Sequence, residues 1–226
     1  MKQTFAFILL ACILFSSCNS TQATAKPEQL TVQYTAASVP WLAGVYPCAG
    51  QDVVTAEQRG ADFLNPSSAD MIIRVGRPDN PTSYLFQIAT DNLMVIVNLK
   101  NPSSKITAAQ VDGIFSGQIQ NWKSINGTDA PVEAWVYPAG EDVQVIFEQT
   151  TLHGSPVTST AHLANNPKEM LQEIEKDVNA IGIISGRWKN GKVNGIYTAA
   201  SGMPVLAITL SKPEGRLAQV IACMQK

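Results

Sequence analysis

The stretch "ADMIIRVG", Ala69–Gly76, constrains the fold more than any other part of this chain. It is too apolar for a strand with one wet face, so it suits a sheet covered on both sides. "AIGIISG", Ala180–Gly186, is a second short buried strand. "LTVQYTA", "APVEAWVY", "GKVNGIYTA" and "MPVLAITL" read as further strands, and "YLFQIATDNLMVIVNL" as a long strand-like run broken near Asp91 and Asn92. Helical patterns fall between them. "SVPWLAGVYPCAGQ" reads as a helix with Ser38 as N-cap and Pro40 in the first turn. "TAEQRGADFLN" reads as a second short helix. Thr107 is a natural N-cap with Gln110 three residues on, Val111, Ile114 and Phe115 give that helix a buried face, and Gly117 ends it. "EDVQVIFEQTTL", the strongly amphipathic "NPKEMLQEIEKDVN" and the closing "PEGRLAQVIACMQK" complete the set. Strands that alternate with helices in this way make an α/β fold.

A length of 226 residues allows one large domain or two small lobes. With 45% hydrophobic and 15% charged residues the chain can bury a real core and is not disordered. The net charge of −2, with no basic run, gives nucleic-acid binding no support.

The N-terminus, "MKQTFAFILLACILFSSCNS", has one early cation, Lys2, and an apolar core from Phe5 to Phe15 that is short for a spanning helix. It reads as a secretory signal over residues 1–17. The end of that segment, "LFSSC", resembles the lipobox of bacterial lipoproteins, with Phe15 where Leu is commonest. The resemblance implies cleavage before Cys18, lipidation of Cys18 and an extracytoplasmic, membrane-anchored protein. The polar segment "NSTQATAKPEQ" that follows suits a flexible tether over residues 18–29. The alternative is an ordinary signal peptide with an incidental cysteine.

Cys12 lies within the signal, which leaves Cys48 and Cys223 in the mature domain. In an exported chain these either bridge or stand as two separate buried thiols. No C-x-x-C pair exists and His153 and His162 are the only imidazoles, so no zinc site and no other metal or cofactor is expected. No G-x-S-x-G, H-E-x-x-H or P-loop is present, and His153 beside Ser155 does not make a triad, so no enzymatic activity is expected.

One stretch names a family. "NPSSKITAAQVDGIFSGQIQNWKSING", Asn101–Gly127, resembles the segment N-P-x-x-x-[LI]-T-x-x-Q-[LV]-x-x-I-F-x-G-x-I-x-x-W of phosphate-binding proteins of ABC transporters. "YLFQIATDNLMVIVN" is similar to that family's crossover between lobes, and "NAIGIISG" to its G-A-I-G-Y-x-S strand. The chain looks like a compact member of the wider type 2 periplasmic binding-protein superfamily. The resemblance implies two α/β lobes, each a mixed sheet flanked by helices, joined by two crossover strands near 90–91 and 196–198. Lobe 1 would span 30–90 plus 198–226 and lobe 2 would span 91–197. Cys48 and Cys223 would then share lobe 1, which favours their bridge. The implied partners are a small-molecule solute in the cleft, an ABC permease and the membrane through the lipid anchor.

The family's phosphate turn, R-x-x-G-S-G-T before a helix with F-x-E, is altered here. Tyr137 stands at the Arg, Gly140 at the first Gly, Glu141 at the Ser, Asp142 at the second Gly and Val143 at the Thr, while Phe147 and Glu148 are kept. The forked cation and the hydroxyls are gone. Two acids have arrived, and like charges about 4 Å apart cost about 4 kcal/mol at an effective dielectric of 20. Phosphate bound in the usual manner is therefore not expected. The alternative for Glu141 and Asp142 is a dipole-complementing helix start that points to solvent. The remaining cleft candidates are Thr35 and Ser38 after the first strand, Arg74 and Arg77 around "IIRVGR", and Ser185 after the "AIGII" strand. Tyr34 and Trp41 could stack on a ligand, with core packing the blander role for Trp41. Either arginine could pair with a carboxylate or sulfonate, or with Glu141 across the cleft; surface ion pairing is the blander reading. A non-transport surface lipoprotein that uses the same fold for sensing or protein contact is the rival reading of the whole chain.

Overall fold

The computed structural model describes residues 29–78 and 83–226. The signal segment, Cys18 and nearly all of the tether lie outside the described residues. Among the described residues eight strands and five α-helices follow in the order β1 Leu30–Thr35, α1 Val39–Ala49, β2 Val53–Gln58, β3 Met71–Val75, β4 Tyr84–Asn98, α2 Ala108–Phe115, β5 Glu133–Val136, α3 Asp142–Thr150, β6 His162–Leu163, α4 Pro167–Lys176, β7 Ala180–Ser185, β8 Val193–Thr209 and α5 Gly215–Met224. The strands form one mixed sheet in the order β2-β1-β3-β8-β4-β7-β5-β6. At one end β1 pairs in parallel with β2 and β3, and at the other β5 pairs in parallel with β6 and β7. Between these ends lie the two long strands β4 and β8, antiparallel to each other.

Because β4 and β8 run through both ends, the expected pair of sheets is continuous. The expected break near Asp91 is a register shift between Asn92 and Met94 within one strand. "GKVNGIYTA" and "MPVLAITL" are likewise one strand, β8. "TAEQRGADFLN" is not a helix. Val53, Val54 and Thr55 begin six residues paired with β1, and only a 3-10 turn, Ala61–Phe63, follows. Here β-branched residues and a ready strand partner override a weak helical pattern.

The core is divided as the sheet is. One large cluster gathers residues from β4, α2, β5, α3, α4, β7 and the first part of β8, with Phe115 and Phe147 edge to face at 4.8 Å. A second gathers Val32, Val45, Met71, Ile73, Val205 and Val220. β7 is buried along its whole length, as its composition requires. The Thr107 capping box is present: Thr107 Oγ1 accepts from the Gln110 N–H and Gln110 Oε1 accepts from the Thr107 N–H. Cys48 in α1 and Cys223 in α5 form a disulfide across 175 residues of chain. No helix among the described residues is long and apolar enough to cross a membrane.

Candidate functional site

In an open α/β sheet the ligand crevice lies beyond the carboxyl ends of parallel strands, where the strand order reverses. This sheet has two such points. One lies between β1 and β3, which end at Thr35 and Val75; the other lies between β5 and β7, which end at Val136 and Ser185. The two points are in contact through the α3 start. Thr35, Arg74, Tyr137 and Ser185, all expected in the cleft, fall at or beside these strand ends.

Asp142, the first residue of α3, is fully buried. Its Oδ2 accepts from Thr35 Oγ1 at 2.6 Å and from the Val75 N–H at 3.1 Å. Its Oδ1 lies 2.9 Å from Arg74 Nη2. Ser38 Oγ lies 2.8 Å from the Ile73 carbonyl oxygen and 2.9 Å from that of Thr35, tying the ends of β1 and β3 together. Glu141 is the N-cap of α3: its Oε2 accepts from the Val143 N–H at 2.7 Å and the Gln144 N–H at 3.3 Å. Glu141 and Asp142 are 3% and 0% exposed, so they do not point to solvent.

Burial pushes the Glu141 carboxyl up to about 8, with the neighbouring Asp142 adding to the rise. Burial also raises Asp142, opposed by Arg74, Thr35 and the Val75 N–H. The Tyr137 hydroxyl is pushed well up by burial and by Glu141. Among the described residues Arg74 Nε, Tyr137 Oη and Glu141 Oε1 are buried without a hydrogen-bond partner.

The other expected residues are placed differently. Arg74 meets Asp142 rather than Glu141. Gly140 takes φ +83, and its carbonyl accepts from the Ala61 N–H at 3.0 Å across the crevice. Ser185 is buried and donates to Asp91 Oδ2, which places it at the crossover rather than with Asp142. Arg77 is exposed, outside this cluster. Trp41 packs against both core clusters. Outside the buried groups a crevice of about 460 Å³ opens between Glu57–Phe63 and Pro138–Gly140; neither Thr35, Arg74 nor Asp142 lines it. Among the described residues no group of three or more His, Cys, Asp or Glu side chains is placed to hold a metal.

Sequence reasoning did not include Asp142 or Asp91 among the site residues. Two adjacent acids at a helix start were visible, but which of them meets a guanidinium depends on Arg74, 68 positions away in the chain.

The PBP superfamily domain model matches residues 83–224. Among solved structures, a putative phosphate ABC transporter substrate-binding protein with bound phosphate from Clostridium perfringens superposes with a TM-score of 0.77. It is 18% identical, with 86% of this chain and 92% of that chain covered. An ABC-type phosphate transport receptor from Vibrio cholerae gives 0.66 at 21% identity, covering 87% and 93%. The regulatory domain of an OxyR2 variant from Vibrio vulnificus gives 0.62 at 10% identity, covering 87% and 96%. At these identities the likeness is one of fold. With well over half of its length matched by the family model, the chain belongs to the PBP superfamily, and its fold is the phosphate-binding-protein-like, two-lobed type 2 form.

Proposed function

We propose that this protein is an extracytoplasmic solute-binding lipoprotein of the ABC-importer type, anchored through Cys18, whose cleft takes a small polar solute other than a phosphate dianion. Its lobes are residues 30–90 with 198–226, and residues 91–197, and their closure on the solute precedes docking on a permease. The observation that carries the reading is the set of buried atoms at the junction. Arg74 Nε, Tyr137 Oη and Glu141 Oε1 have no protein partner among the described residues. Buried polar atoms left in this way call for a ligand or ordered water. A solute that bridges them touches both lobes, which is what closure requires.

The same groups argue against phosphate. Glu141 already occupies the Val143 and Gln144 N–H groups at the helix start that a dianion would have to use, and Arg74 is already engaged by Asp142. Tyr137 offers one neutral hydroxyl where the solute-binding families resembled by this sequence carry an arginine.

A second reading is a sensing or protein-contact module without transport. It is favoured by the number of direct bonds across the crevice, among them Ala61 to Gly140 and the Trp188 indole N–H to the Ala37 carbonyl. A thermal-shift screen of the purified chain against phosphate, sulfate, organic acids, amines and sugars separates the two. A small polar solute at 100 times its dissociation constant adds about 2.7 kcal/mol. Strong stabilisation by phosphate sinks the ligand assignment, and silence towards every small solute favours the second reading.

A further inference from the structure

The three groups that meet Asp142 form a set that would hold a free anion. Thr35 and Val75 end β1 and β3 on either side of the point where such a sheet binds its ligand. Arg74 brings a guanidinium to the same spot. A hydroxyl, a backbone N–H and a guanidinium therefore converge on one carboxylate, at 2.6, 3.1 and 2.9 Å. Two are hydrogen bonds and the third is an ion-pair contact, and together they are the kinds of contact that recognise carboxylate ligands. All three donors belong to the β1–β3 end of the sheet, and the acceptor is carried in by α3 from the other end, 107 residues from Thr35.

We propose that Thr35, Arg74 and Val75 build a carboxylate subsite, and that the chain fills it with Asp142 as a tethered anion. The proposal rests on the reading of this crevice as the ligand cleft. Asp142 is then the residue that sets specificity. It already occupies Arg74, and a solute bearing its own carboxylate must displace it to reach that guanidinium. An uncharged polar solute faces no such competition, because it can take Arg74 Nε, Tyr137 Oη and Glu141 Oε1 and leave Asp142 on Arg74 Nη2.

Asp142→Ala removes a group the size of formate, so formate is the matched probe. Melting temperatures are compared for the wild-type chain, Asp142→Ala and the double variant Arg74→Ala/Asp142→Ala, in about 100 mM sodium formate and in sodium chloride of equal ionic strength. The expected result is a melting temperature several degrees higher in formate than in chloride for Asp142→Ala alone. The wild type and the double variant should melt alike in the two salts. If Asp142→Ala is unfolded in chloride, recovery of the folded circular-dichroism spectrum in formate supports the proposal, and failure to recover overturns it. A folded Asp142→Ala that ignores formate also overturns it, as does an equal formate shift in the wild type or the double variant. Tight phosphate binding by the wild type would count instead against the non-phosphate ligand assignment of the proposed function. A formate-silent Asp142→Ala beside a phosphate-silent wild type removes only the tethered anion.

Discussion

Arg74, near the end of β3, and Asp142, the first residue of α3, lie 2.9 Å apart with side chains 12% and 0% exposed. A buried pair of this kind is costly to break from one side, because the surviving charge has no water to return to. Arg74→Ala should lose about 3–5 kcal/mol of stability. Arg74→Met combined with Asp142→Asn should lose less than the two single changes together, because neither charge is then stranded. Urea titrations of the four chains measure the coupling; simple additivity would mean that the two groups do not act on each other.

Glu141 gives the stability a pH dependence with a definite sign. Its folded-state pKa of about 8 lies above the usual 4.5, so between those values the folded chain holds a proton that the unfolded chain has released. Raising the pH therefore favours unfolding. The contribution is complete below pH 4.5 and is lost as the pH climbs through 8, at about 1.4 kcal/mol per pH unit for one group. Asp142, also raised by burial, tilts the profile the same way, with Arg74 opposing and the buried Tyr137 hydroxyl close enough to Glu141 to feel its charge. Glu141→Gln should flatten most of the decline between pH 5 and 8, leaving the part due to Asp142. Denaturant midpoints across that range check this, and an unchanged slope in the Gln variant would count against it.

The Cys48–Cys223 bridge closes a loop of 175 residues. In the chain-entropy picture a loop of that length is worth about 5 kcal/mol, and losses on removal of native bridges run at about 2–5 kcal/mol. Cys48→Ser/Cys223→Ser should lower the urea midpoint by a corresponding amount, and dithiothreitol should affect the wild type but not the variant. A variant as stable as the oxidised wild type would remove the bridge from the account.

The lipid anchor makes its own forecast. The mature protein should begin at Cys18 and carry the added mass of a lipid-modified cysteine. Cys18→Ala should move it from the membrane fraction to the soluble one. Mass spectrometry of the two fractions is the measurement, and cleavage elsewhere with an unmodified Cys18 would refute the anchor.

Much of the fold could be read directly because local chemistry and tertiary structure agree. "AIGIISG" is apolar throughout and becomes β7, buried on both faces. Thr107 and Gln110 carry their cap in their spacing. β2 was misread because its partner, β1, is a neighbour in space that a local pattern does not reveal. The candidate site was legible as a set of strand ends, Thr35, Arg74, Tyr137 and Ser185, but its pairing was not. Asp142 and Glu141 are adjacent and chemically alike, and only the position of α3 sends one to Arg74 and the other back to its own helix cap. Asp91 looked like a strand breaker and is instead the acceptor for Ser185 and for the Arg187 N–H.

β4 and β8 lie side by side and are the two strands that pass from one core cluster to the other. A hydrogen-bonded ribbon of two strands resists sliding but flexes out of its own plane, so it serves as a spine with a single soft axis. Gly60 and Gly140 meet far from that spine, just beyond the ends of strands three and two places away from it, whereas Asp91 sits on it and Ser185 ends the strand beside it. The halves should therefore part like the covers of a book, with the Ala61–Gly140 bond travelling furthest and the Asp91–Ser185 corner scarcely moving.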